Sequence, residues 1–157
     1  MMGLDGLIVG NDRRPPGHDR AGRVFRLAMT ASEPATELRP KRVLLVEDDE
    51  ALRESMTLTL AKAGIDVVPA ATGAAALAAC GDRVPDAAVI DVFLPDAGGL
   101  GLARRLREVL AGIPILFVTG LAIASMREAL APAPVLFKPF TTKQLLAGVR
   151  RISGARP

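Results

Sequence analysis

At 157 residues the chain has the length of one domain and can bury a single core. Half of it is hydrophobic but only 3% is aromatic, with no Trp or Tyr, so the core must be built from Val, Leu, Ile and Ala, which suits helices packed on a parallel sheet. The formal net charge of +3 comes from 20 basic and 17 acidic residues scattered without blocks beyond pairs such as Arg13-Arg14 and Arg104-Arg105, which points to a mixed solvated surface and not to a nucleic-acid groove.

Residues 1 to 40 are rich in Arg, Pro, Gly and Asp and keep neither a 3.6-residue nor a 2-residue period. A stretch such as "NDRRPPGHDRAGR" buries too little apolar surface to offset its ordering entropy, so this part is expected to be a disordered extension. It holds His18, the only histidine, so the folded part has no histidine dyad or histidine metal site. Met29 offers an alternative start; intact mass of the natively expressed protein beginning at residue 1 would overturn that idea. The N-terminus lacks the order of a signal peptide, and no apolar run approaches the roughly 20 residues that span a bilayer. The lone Cys80 allows no internal disulfide and suits a reducing compartment. A cytoplasmic protein with no membrane contact is expected.

From Lys41 the pattern changes. The run Val43 to Val46 reads as a strand, followed by Glu47, Asp48 and Asp49, and "EALRESMTLTLAKAG" places Leu52, Met56, Leu60 and Ala63 at helical spacing before Gly64. "IDVVPA" is a second short strand. Thr72 is a candidate N-cap for an Ala-rich helix over about 73 to 80, in which Cys80 is a buried residue. A third strand, Ala87 to Asp91, is followed by a helix over about 99 to 110 with Leu102, Leu106, Val109 and Leu110 as its apolar face. "ILFVTG" is a fourth strand ending in Thr119, and "LAIASMREALA" allows a short helix cut off by Pro132 and Pro134. "VLF" is a fifth strand closed by Lys138-Pro139, and "TTKQLLAGVRRIS" is a last helix carrying Leu145, Leu146, Val149 and Ile152, capped by Thr141 or Thr142. Five strands alternating with five helices predict an α/β doubly wound parallel sheet over 41 to 153, with 154 to 157 as a tail.

The C-terminal ends of parallel strands lie at one edge, where ligands bind. Glu47-Asp48, Asp91, Thr119 and Lys138 all fall there. Each has an ordinary explanation: acids cap helices, an Asp before Pro-Asp-Ala-Gly-Gly can be a turn residue, a Thr can satisfy a loop amide, and a Lys before Pro can be solvated. Polar residues at four strand ends of one edge suit phosphoryl transfer onto a carboxylate. Clustered acids repel unless a divalent cation sits among them, and hard oxygen ligands suit Mg2+. A lysine ammonium and a hydroxyl then stabilise phosphoryl oxygens, with Asp91 as nucleophile.

The segments "VLLVEDDEALR", "VIDVFLPDAGGLGL", "PILFVTG" and "FKPF", in this order and spacing, resemble the receiver domain of bacterial two-component response regulators from about Arg42 to Ile152. The resemblance implies a flavodoxin-like sheet of strand order 2-1-3-4-5 with helices on both faces. It implies Asp91 as phosphoacceptor, Thr119 as the switch hydroxyl and Lys138 as the phosphate-pairing lysine before a cis-type bond to Pro139. The Mg2+ ligands it implies are Asp48 directly, Glu47 through water, Asp91, and the backbone carbonyl of Phe93. Asp49 and Glu50 match no family role and read as surface or capping acids. The expected phosphodonor is a histidine kinase or histidine phosphotransferase, and the protein is not expected to be an enzyme beyond its own phosphorylation and dephosphorylation.

Three departures from the family pattern stand out. Val135 occupies the position of the usual switch aromatic, and Phe137 is too close to the lysine to replace it in an obvious way. Only 18 residues separate Thr119 from Lys138, which shortens the expected fourth helix. Phe93 and Leu121, two residues past Asp91 and Thr119, are apolar and cannot orient an attacking water, so slow self-dephosphorylation is expected. "PILFVTGLA" is similar to the Phe-Ala-Thr-Gly signature of single-domain receivers without a switch aromatic, with Val118 in place of Ala. The 17 residues after Phe140 suffice for one helix, so output is expected by protein contact without a DNA-binding domain. Two alternatives fit less well: a receiver-like binding module that is not phosphorylated, and an Mg2+-dependent aspartyl phosphatase. The latter needs a second Asp where Phe93 stands.

Overall fold

A computed structural model describes residues 42–96, 98–121, 128 and 130–153, all within the unit Thr36–Pro157. The expected extension over 1 to 40 and tail over 154 to 157 lie outside the described residues. The elements are β1 (Arg42–Val46), α1 (Glu50–Lys62), β2 (Asp66–Ala70), α2 (Gly73–Asp82), β3 (Ala87–Asp91), α3 (Gly98–Val109), β4 (Ile115–Thr119), β5 (Val135–Phe137) and α4 (Thr142–Ser153). The expected fourth helix, between β4 and β5, falls mainly on residues 122–127 and 129, which are outside the described set.

The strands form one parallel sheet in the order β2-β1-β3-β4-β5. Strands β3 and β4 are buried at every residue, which is why they read as unbroken apolar runs with no alternation. β2 lies at an edge and is only partly covered, and an edge tolerates Pro69, which has no N–H to donate. Successive strand residues point to opposite faces, so two apolar layers form. Leu44, Val46, Ile90 and Phe117 pack with Leu102 and Leu106 of α3 and Ala76 of α2 on one face. On the other, Val43, Leu45, Val89 and Leu116 pack with Met56 and Leu60 of α1 and Leu145, Val149 and Ile152 of α4. Cys80 is buried in the first layer, as its Ala-rich surroundings indicate.

One assignment of a core face needs correction. Val109, expected on the apolar face of α3, is 63% exposed, and the buried residues of that helix are Gly99, Leu102, Ala103 and Leu106. The helix begins a residue earlier than expected and ends at Val109. Its buried stripe is centred on 99, 102, 103 and 106, which turns position 109 toward solvent.

The helix starts are set by short polar side chains. Asp49 caps α1, its Oδ1 accepting from Leu52 N at 2.8 Å, and Thr72 caps α2, its hydroxyl accepting from Ala75 N at 3.1 Å. Of the two threonines expected as cap of the last helix, Thr142 is the first residue of α4 and Thr141 is the cap. Its hydroxyl accepts from Gln144 N at 3.3 Å, while Gln144 Oε1 accepts from Thr141 N at 2.8 Å, a reciprocal box. Replacing Asp49 or Thr72 by Ala is expected to cost about 1 kcal/mol each, read as a lower urea midpoint at constant slope. A loss below a few tenths would show that the loop, and not the cap, holds the helix start.

Candidate functional site

Glu47 follows the last residue of β1, and its N–H still bonds Ala70 O at 3.1 Å, so the sheet's own pairing carries it to the edge. It is 1% exposed, whereas Asp48, one residue on, is exposed. Asp91 ends β3 at 5% exposure, paired with Val118, and Val92 N–H continues the ladder to Val118 O at 2.9 Å. Thr119 ends β4 with no exposed surface. Its carbonyl accepts from Lys138 N at 2.8 Å, so the threonine and lysine stations are joined through the backbone. The Lys138–Pro139 bond is cis, as the resemblance implies.

The side chains converge on Lys138. Its Nζ donates to Asp91 Oδ2 at 2.6 Å and to Glu47 Oε1 at 2.9 Å. Asp91 Oδ1 accepts from Phe93 N at 2.8 Å, so each oxygen of that carboxylate has a separate donor. Carboxylate oxygens of Glu47, Asp48 and Asp91 lie within 4.8 Å of one another. Glu47 Oε2 is buried and receives no hydrogen bond among the described residues, although Lys138 Nζ lies 2.8 Å away as an ion pair. Burial pushes the Glu47 carboxyl above its usual range, with the neighbouring Asp91 charge in the same direction and Lys138 opposing both. Burial alone would lower the Lys138 ammonium, but its hydrogen bonds to Asp91 and Glu47 prevail and hold it above its ordinary value. Two buried acids share one lysine, which leaves an excess of negative charge at this edge. Such a donor set, all carboxylate oxygen with one orphaned buried atom, fits a hard divalent cation.

The rim is apolar: Phe93 is 47% exposed and Leu121 46% exposed, and Leu121 N donates to Thr119 Oγ1 at 3.2 Å. Val135 is half-buried against the first core layer and borders a cavity of about 310 Å3 shared with Ala131, Pro132, Ala133 and Phe137.

Three residues at this edge were not singled out from the sequence. Arg53 of α1 donates from Nη1 to the carbonyls of Glu47 and Asp48. Asp96 Oδ2 accepts from Ala74 N at 3.0 Å, tying the loop after Asp91 to the start of α2. Gly99 bonds Val92 O at 2.9 Å, and a Cβ there would lie 2.1 Å from Asp91 O. The Gly-Gly pair was visible as a turn signal, but which glycine lacks room depends on the fold.

A five-stranded parallel sheet of order 2-1-3-4-5 with three acids and a lysine at its C-terminal edge defines a receiver-type α/β domain. The chain belongs to the response regulator receiver domain family, which matches residues 43–150. It is 39% identical over 116 residues to the response regulator MprA of Mycobacterium sp. strain KMS, covering 72% of this chain and 50% of that protein. The chain therefore spans about half the length of such curated relatives. Among solved structures, the non-phosphorylated HemR receiver domain of Leptospira biflexa is 34% identical with a TM-score of 0.66, covering 74% of this chain and 97% of that one. The chemotaxis protein CheY4 of Vibrio cholerae is 28% identical with a TM-score of 0.68, covering 71% and 97%. Among the described residues no helix is long and apolar enough to cross a membrane.

Proposed function

We propose that this domain accepts a phosphoryl group on Asp91 from a histidine kinase or histidine phosphotransferase in the cytoplasm and signals through protein contact. The observation that carries the reading is the Lys138 ammonium, shared between Asp91 Oδ2 and Glu47 with the Asp48 carboxylate beside them. In the step, an Asp91 oxygen forms a bond to phosphorus as the donor's P–N bond breaks, its electron pair leaving on the donor imidazole. Lys138 leaves carboxylate pairing for a transferring phosphoryl oxygen, and the Thr119 hydroxyl donates to another. Glu47, Asp48, Asp91 and the Phe93 carbonyl would hold Mg2+, which supplies positive charge to the phosphoryl oxygens when bound. No separate enzymatic activity is proposed.

The test is incubation with acetyl phosphate and Mg2+ followed by intact mass. A gain of one phosphoryl group that Asp91→Ala abolishes is the expected result. Absence of any gain would favour the second reading, a receiver-like binding module, which Val135 at the position of the switch aromatic supports. Steady phosphate release from small phosphoesters would favour the phosphatase.

Phe93 and Leu121 also set an expected lifetime. Neither side chain can hydrogen-bond an attacking water beside the acyl phosphate, so the purified phosphoprotein should lose its phosphoryl group slowly. A half-life of seconds, followed by mass after removal of the donor, would overturn this.

A further inference from the structure

The geometry points to Arg53 as a positioning residue for the acidic pair, setting the affinity of the site for a divalent cation. This rests on the proposed reading that Glu47, Asp48 and Asp91 hold such a cation. Arg53 Nη1 lies 2.9 Å from Glu47 O and 3.2 Å from Asp48 O, one donor shared between two successive carbonyls. These residues link β1 to α1 and lie outside the sheet ladder except for the Glu47 N–H. The orientation of their peptide planes therefore depends on what holds the carbonyls. Helical side chains lean toward the helix N-terminus, so a long side chain in the first turns of α1 reaches back over that loop. A charged donor to two carbonyls is a strong tether, and it fixes where the carboxylates of Glu47 and Asp48 point.

The placement is otherwise unfavourable. Positive charge near a helix N-terminus opposes the helix dipole. Among the described residues Arg53 meets these two carbonyls and no carboxylate, so a surface ion pair does not account for it. Its charge and its tether act on a bound cation in opposite directions. Repulsion would weaken cation binding and its loss would strengthen it, whereas loss of the tether lets the acidic pair turn away. The guanidinium addresses the carbonyl side of the peptides and not the carboxylates, so the tether dominates.

The test is calorimetric titration of the whole chain with Mg2+ for the wild type, Arg53→Ala, Arg53→Lys and Asp49→Ala. Arg53→Ala is expected to raise the dissociation constant about tenfold, the effect of removing a group that orients metal ligands. Arg53→Lys, which keeps the charge and one donor, should recover part of the loss. Asp49→Ala loosens the same helix start and removes one nearby negative charge without touching the two carbonyls, and should raise the constant by no more than about twofold. The phosphorylation rate of Arg53→Ala from acetyl phosphate should return to the wild-type value at saturating Mg2+. Equal or tighter binding in Arg53→Ala would overturn the inference alone, as would an equal shift in Asp49→Ala. No Mg2+ binding by the wild type would remove the proposed cation site and this inference with it.

Discussion

Lys138→Met should lower phosphoryl uptake from acetyl phosphate by about a hundredfold or more, the usual effect of removing one donor to a developing oxyanion. The Met side chain keeps the apolar stem, so the change isolates the ammonium. In the cation-free protein the same substitution leaves Glu47, at 1% exposure, and Asp91, at 5%, without the donor they share. Breaking a fully buried pair costs about 3–5 kcal/mol; here about 2 is expected, because the Lys138 side chain is 24% exposed and Glu47 can take up a proton. The pH dependence follows from the two shifts. The Glu47 carboxyl is raised, so the folded state binds its proton more tightly than the unfolded state, and its contribution is fully present below the ordinary carboxylate range and lost as pH rises through the raised value. The Lys138 ammonium is also raised, so its contribution persists through neutral pH and is lost only above its ordinary alkaline value. The stability gap between wild type and Lys138→Met should therefore narrow in acid, where a protonated Glu47 no longer needs the ammonium. Urea unfolding at several pH values reads this directly, and a gap that widens toward acid would contradict the assignment of Lys138 as the partner of Glu47.

Gly99→Ala is expected to destabilise the domain by about 3 kcal/mol, at the upper end for overpacking. A Cβ at this position would meet Asp91 O at 2.1 Å, Val92 Cα at 2.8 Å and Asp91 C at 2.9 Å. All three are backbone atoms at the end of β3 that carries Asp91, so relief requires the strand end or the start of α3 to move. Phosphoryl uptake should fall in the fraction that folds, because two of the displaced atoms belong to Asp91 and the third to its neighbour Val92. Gly81→Ala is the control: a Cβ there meets nothing within 4 Å, and in α2 the change should be neutral or stabilising by up to about 1 kcal/mol. A Gly99→Ala protein within 1 kcal/mol of the wild type would mean that the crossing is looser than the structure shows.

The strands were legible in the sequence wherever burial was complete. Ala87 to Asp91 and Ile115 to Thr119 are apolar up to their last residue because both faces of a central strand are covered, and their boundaries agree with the structure. The cap at Thr72 was legible, and those at Asp49 and Thr141 were legible as one of two alternatives, for a local reason: a short polar side chain satisfies an amide three residues ahead in its own chain. Val109 was misplaced because it lies at the border of the apolar stripe, and only the close approach of Gly99 to the end of β3 and the packing of Leu102 and Leu106 on the sheet set the rotation of α3.

By itself the sequence determined which residues meet at this edge. Glu47, Asp48, Asp91, Thr119 and Lys138 each end or follow a strand, and parallel connectivity brings strand ends to one side whatever the details of packing. Local pattern suffices for that, because strand periodicity and turn residues act within a few positions. The tertiary structure alone decided how the groups divide their charges and contacts: that one ammonium serves both Asp91 and Glu47, that Glu47 is buried while Asp48 is exposed, that Arg53 grips the carbonyls between β1 and α1, and that Gly99 has no room for a methyl group. These depend on atoms up to 91 positions apart being placed to within a fraction of an ångström. Hydrogen bonds, buried charge and steric overlap all change steeply over such distances, and no pattern along the chain carries that information.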